Sequence, residues 1–195
     1  METPAAGARF RAALRFYGGK SALAPWIVRH LPPHESYLEP FGGSAAVLLH
    51  KPPAPRETYN DLDSAVVAFW RCLREQPDAL IRAIELTPFA REEMDGADID
   101  AASITDLERA RRLYIRSWQT IHGAPSRGRM GWRSDMRHTG NGTNVDAWCR
   151  TEHLWTIAAR LRHVQIEHLD ALECIRRYDT PACLHFCDPP YVSST

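Results

Sequence analysis

Lysine is nearly missing from this 195-residue chain: its 24 basic residues balance 24 acids, yet only Lys20 and Lys51 are lysines. Where arginine supplies almost all the positive charge, a lysine at position 20 invites a specific explanation. No apolar run approaches the length of a membrane-spanning helix, and residues 1–15 lack the apolar centre of a signal peptide. A cytoplasmic location is the expectation. The five cysteines, Cys72, Cys149, Cys174, Cys183 and Cys187, are odd in number and form no CxxC pair, which argues against both a disulfide framework and a zinc site. They read as reduced, mostly buried thiols. There is no internal repeat and no low-complexity segment, and the length suits one domain carrying a small insertion.

Charge sums to zero, but unevenly along the chain. Between Arg109 and Arg137 lie eight arginines and a single acid, Asp135. The remainder is net acidic, so a neutral balance does not exclude a nucleic-acid partner.

The patterning alternates between strand-like and helix-like stretches. Residues 14–20 form a glycine turn, and Leu23, Trp26, Ile27 and His30 are spaced for one face of a helix over residues 21–31, ended by Pro32 and Pro33. A strand is expected over residues 36–41, turning through Gly42-Gly43-Ser44 into a helix of small residues. Strand, glycine turn and helix start suggest a nucleotide-type crossover. Residues 57–60 form a second strand ending at Asp61, about 20 residues beyond the glycine turn, where a carboxylate can reach ribose hydroxyls. The competing reading is that Asp61 or Asp63 caps the helix expected over residues 64–75.

From residue 78 to about 119 the pattern is helical, interrupted by Pro88 and Gly96, with Leu80, Ile81, Ile84, Leu113, Tyr114 and Trp118 on apolar stripes. Residues 121–144 read as a flexible basic loop with Trp132 as its aromatic, suited to phosphates and bases. A helix follows over residues 145–162, a third strand over 164–167 and a short helix over 170–178. Last comes an apolar run, residues 182–187, expected to be a buried strand, and directly after it Asp188-Pro189-Pro190-Tyr191. The prolines stop the ladder and stiffen the exit. An acid, a rigid carbonyl-bearing turn and an aromatic ring together suit a flat, amino-bearing ring: the carboxylate and a proline carbonyl accept from the NH2, and Tyr191 stacks on the face. The plainer alternative is a strand-terminating turn with a helix-capping Asp.

Read in order, these segments resemble the Dam-type, alpha-class DNA adenine-N6 methyltransferases. The resemblance implies an α/β fold: a Rossmann-like class I methyltransferase sheet in the order 3-2-1-4, incomplete at the C-terminus, with a helical, Arg-rich insertion. The core would comprise residues 1–77 and 151–195, and target recognition residues 78–150. The implied cofactor is S-adenosyl-L-methionine, contacted by Phe16, Lys20, Glu39, Phe41, Gly43, Asp61 on the ribose, Asp170 beside the adenine, and Asp188. Asp188, Pro189, Pro190 and Tyr191 would be catalytic, with no metal. The implied partner is double-stranded DNA, faced by Arg15, with Arg127, Arg129, Arg133 and Arg137 as further candidates. A cognate restriction endonuclease would be a second partner. The alternatives are an RNA or protein-glutamine methyltransferase, or a DNA- or cofactor-binding remnant without catalysis. Two departures from the family stand out. Ala45 occupies the position of a usual second glycine, tolerable only if its φ is negative. Family members also continue past the Asp-Pro-Pro-Tyr motif, so the expectation is an incomplete sheet from a fragment, a truncated gene or a degenerate remnant.

Overall fold

The computed structural model describes residues 11–123, 131–134 and 143–190, and every structural statement below refers to these residues. Its strands are short. β1 (Ser36–Glu39) stops at Pro40, which has no N–H for the ladder, rather than running on to Phe41. β2 (Arg56–Asn60) and β3 (Val164–Glu167) fall where alternation and β-branched residues suggest them. β4 (Cys183–His185) is half-buried throughout. That corrects the expected buried strand: β4 pairs only with β1 and forms an edge of the described sheet. All pairings are parallel, in the order β3-β2-β1-β4, as the resemblance implies.

The helices show where local signals mislead. α1 (Ala24–Val28) is one short turn begun by Pro25, and Leu23 and Trp26 are more than half exposed, so the expected one-faced helix over residues 21–31 does not form. α2 (Ala46–His50) follows the glycine loop and buries Val47, Leu48 and Leu49. α3 (Ser64–Glu75) is the central helix, with Val66, Phe69, Trp70 and Leu73 in the core. α4 (Pro77–Glu85), α5 (Arg91–Asp95) and α6 (Asp106–Gln119) make up the helical stretch broken near Pro88 and Gly96. α6 lies along α3, Phe69 stacking on Tyr114 at 6.1 Å, and Leu80, Ile81 and Ile84 of α4 close the same cluster.

The helix expected over residues 145–162 is two: α7 (Asn144–Cys149), opened by a Thr143–Asp146 capping box, and α8 (Glu152–Leu161). The Arg11 guanidinium donates to the Ala147 and Arg150 carbonyls, capping α7 from a remote segment and ending it. α9 (Ala171–Tyr178) precedes β4. No helix is long and apolar enough to cross a membrane. The cysteines are unpaired, but only Cys72 and Cys174 are buried. Cys183 is half-buried, and Cys149 and Cys187 are exposed, contrary to the mostly buried set expected.

Lys51 explains itself through a buried ionic cluster. Glu57, on β2, is paired with Lys51 Nζ at 2.6 Å and with Arg160 of α8 at 2.5 Å, and both carboxylate partners are almost wholly shielded from solvent. The same carboxylate accepts from the Ala54 amide, and Lys51 also lies over the Tyr37 ring at 4.5 Å. Burial opposes ionisation of Glu57, but hydrogen bonds from Arg160 and Lys51 outweigh it and hold the carboxyl below its ordinary range. Removing one partner from a buried pair strands the others. Glu57→Ala, which leaves two cations unpaired, is expected to cost about 3–5 kcal/mol, read as a fall in the urea unfolding midpoint.

Candidate active site

Because the strands all run the same way, their carboxyl ends open on one edge of the sheet. Each carries an acid there: Glu39 ends β1, Asp61 follows β2, Asp170 follows β3 and Asp188 follows β4. These four acids surround a cavity of about 960 Å³, lined also by Phe16, Lys20, Phe41, Gly43, Pro189 and Pro190. All the residues nominated for cofactor contact therefore meet in one place.

The glycine loop between β1 and α2 is held by residues behind it. A Cβ on Gly42 would lie 2.1 Å from the Tyr59 ring, so no side chain fits there. Gly43 has φ +46°. Its N–H donates to Asp61 Oδ2 at 2.8 Å, and its carbonyl accepts from Tyr59 Oη at 2.8 Å and Trp70 Nε1 at 2.9 Å. The Phe16 ring lies against its front, close to where a Gly43 Cβ would stand. Ala45 sits in the left-handed region at φ +52°, where a Cβ costs about 1–2 kcal/mol. Its methyl is completely buried, which returns about 0.8 kcal/mol and offsets part of that strain.

The acids differ in surroundings. Glu39 is buried and accepts from Tyr37 Oη and the Leu48 amide, each at 2.7 Å. Burial dominates these bonds and raises its carboxyl to about 7. Asp63, not Asp61, caps α3, accepting from the amides of Ala65 and Val66. Asp61 instead accepts from Gly43 N–H through one oxygen and from the Asp63 amide through the other, and burial pushes its carboxyl up. Asp170 is the N-cap of α9, accepting from Leu172 and Glu173, while also lining the cavity. Asp188 does not cap a helix. Its Oδ2 is 2.6 Å from Lys20 Nζ, which also donates to the Gly18 carbonyl at 3.0 Å. The glycine-lysine turn and the Asp-Pro-Pro segment are thus joined by an ion pair.

Five carboxyl groups, with Asp63, and one ammonium line the cavity. The volume and the acceptor-rich wall suit a ligand bearing hydroxyl and amino donors and a cationic centre.

The basic segment is less uniform than its composition. Arg109, Arg111, Arg112 and Arg116 lie on α6 and bond within the fold: Arg109 to the Ile99 carbonyl, Arg111 and Arg112 to Glu108, Arg116 to the Ala97 carbonyl. Arg15 is half-buried, its backbone amide donating to Ser117 Oγ at 2.6 Å and its guanidinium reaching the Thr120 carbonyl at 3.4 Å. Arg133 donates its amide to the Gln119 carbonyl beside the antiparallel Thr120–Trp132 bridge. Trp132, expected to be available for bases, packs on Phe89 at 4.8 Å. Arg127, Arg129, Arg137 and Tyr191 lie outside the described residues. Sequence reasoning missed Tyr59, Asn60 and Trp70, which brace the loops from behind, and Phe186, which lines the cavity. Only Phe186 carried a signal, its place two residues before the acid.

Two measurements check this geometry. Gly42→Ala must displace the Tyr59 ring and is expected to cost about 1–3 kcal/mol of stability, read from urea midpoints. Glu39 titrates in the folded chain near 7, above its ordinary 4.5, so the folded form holds the proton more tightly. That contribution is complete below pH 4.5 and is lost as pH rises through 7. Glu39→Gln should flatten the decline in stability across this window.

A family model described as D12 class N6 adenine-specific DNA methyltransferase matches residues 16–116, more than half of the 195 residues. The match takes in the glycine-lysine turn, the glycine loop, Asp61 and α3 to most of α6, and stops before Asp170 and Asp188. No curated protein matches the chain. With a parallel sheet whose carboxyl ends enclose one acid-lined cavity, and a match spanning most of that cavity's wall, the chain belongs to the D12 class N6 adenine-specific DNA methyltransferase family.

Proposed function

We propose that this chain transfers a methyl group from S-adenosyl-L-methionine to the N6 amino group of adenine at a specific site in double-stranded DNA. The observation that carries this reading is the convergence of Asp61, Asp170 and the Lys20–Asp188 pair on one cavity beside the glycine loop. The cofactor supplies a methyl carbon already activated by a positively charged sulfur, so the protein's part is positioning and electrostatics.

Each wall has a task suited to its chemistry. Asp61 keeps acceptor capacity on both oxygens after taking two backbone N–H groups, as ribose hydroxyls require. Asp170, on the loop after the neighbouring strand β3, would face the adenine end. Lys20 Nζ, 2.6 Å from Asp188 Oδ2, fixes the direction in which that carboxylate presents its remaining acceptor sites to the cavity. Asp188 and the Pro189 carbonyl would take the two N–H groups of a target amino group, favouring a tetrahedral nitrogen with its lone pair directed at the methyl. Tyr191 would stack on an adenine turned out of the duplex, since the amino group is not reachable in line within the stack. Residues 78–150 would contribute target recognition, with Arg15 and Arg133 on DNA and Arg127, Arg129 and Arg137 as further contacts.

Methyl transfer from radiolabelled cofactor to duplex DNA, RNA and protein tests the reading. Incorporation into duplex DNA as N6-methyladenine is expected, and incorporation only into RNA or protein would overturn it. Asp188→Ala should abolish transfer while calorimetry still detects cofactor binding; wild-type turnover would remove Asp188 from the chemistry. Asp61→Ala should raise the cofactor Kd at least tenfold, and an unchanged Kd would leave Asp61 as a brace for Gly43 alone.

A further inference from the structure

One polar side chain that the mechanism does not use holds the two walls of the cavity together. Asn60 ends β2 and is completely buried. Its Nδ2 donates to the Pro40 carbonyl at 2.9 Å and to the Leu169 carbonyl at 3.0 Å, while its Oδ1 accepts from the Leu169 amide at 2.8 Å. Its backbone carbonyl accepts from the Gly42 amide at 2.8 Å. Pro40 opens the glycine loop, and Leu169 immediately precedes Asp170. These bonds begin where the backbone ladders end: β2 pairs with β1 up to Tyr59 and with β3 up to Asn60.

We infer that Asn60 is a positioning residue that locks the glycine loop and the Asp170 loop to each other and thereby sets the cofactor affinity of the site. The inference rests on the proposed cofactor role of that cavity. Only a primary amide of this length fits. The two carbonyls demand two N–H donors and the Leu169 amide demands an acceptor, so the amide orientation is fixed by its partners. Aspartate has the same shape but no N–H, and would set a carboxyl oxygen against two carbonyl oxygens. Glutamine adds a methylene, which would carry the amide away from all three partners at once.

The test compares wild type with Asn60→Asp. Calorimetric titration of wild type with S-adenosyl-L-methionine comes first: an absence of binding overturns the functional reading and this inference with it. Given binding, Asn60→Asp should raise the cofactor Kd at least tenfold, with kcat at saturating cofactor within about threefold of wild type. Asp170→Ala should cost less in the Asn60→Asp background than in wild type, because the acid is already displaced. A Kd within twofold of wild type, or strictly additive effects accompanied only by a lower thermal midpoint, overturns the inference. Should Asn60→Asp fail to fold, hydrogen exchange on wild type decides: S-adenosylhomocysteine should slow exchange at the Gly42 and Leu169 amides together. Protection of one without the other refutes the coupling.

Discussion

The structure depends on parallel strand pairing. A parallel sheet of this kind gathers every strand's carboxyl end on one edge, so a single choice of direction decides where four loops and their acids meet. The ladder also explains why the site needs bracing. Its hydrogen bonds end at the strands, and the loops beyond must satisfy their own polar groups or leave them to be held by side chains. Tyr59, Asn60 and Trp70 supply that satisfaction for the glycine loop from the buried side.

The two lysines belong to the same logic of charge placement. Each is committed to an acid: Lys51 to the buried Glu57, Lys20 to Asp188 at the cavity. The first pair is closed by Arg160 and shielded from solvent, the second sits at a surface that a ligand can reach. A compact ammonium on a flexible stem suits both confined positions better than a planar guanidinium. Arginine takes the places where a fork can grip several carbonyls or carboxylates, as on α6 and at the end of α7.

The strand positions, Asp61 and the Asp188 turn were legible because each rests on local chemistry: a glycine turn after a β-prone run, an acid at a strand's end, prolines after the last. The strand order and the places of Glu39 and Asp170 at the cavity came only through the family resemblance. The choice between Asp61 and Asp63 was not, since both stand before the same helix and only the fold shows which carboxylate meets its amides. The split between α7 and α8 was hidden because its cause, Arg11, is remote in sequence. Arginine-rich composition could not show that the guanidiniums of α6 are spent within the fold, one of them tying α5 to α6, and Trp132 looked available because nothing local announced Phe89. Asn60 gave no signal, since an asparagine at a strand end is ordinary until its two partners are seen. Ala45 was flagged by analogy alone, and its positive φ makes the departure a strained one.

The pairing of β1 with β4 has a consequence for the order in which the protein assembles. Residue 36 is registered against residue 183, and Lys20 waits for Asp188. During synthesis β1 and β2 can pair once residue 60 is made, and β3 can join them once residue 167 is made. β1 then keeps one row of backbone donors and acceptors open until residues 183–185 have been made, and an open parallel edge is a template for wrong partners. The wall of the cavity that carries Asp188 is therefore built after those that carry Glu39, Asp61 and Asp170, and the nascent chain passes through a stage with a formed glycine loop, no Asp188 to meet Lys20 and the β1 edge uncovered.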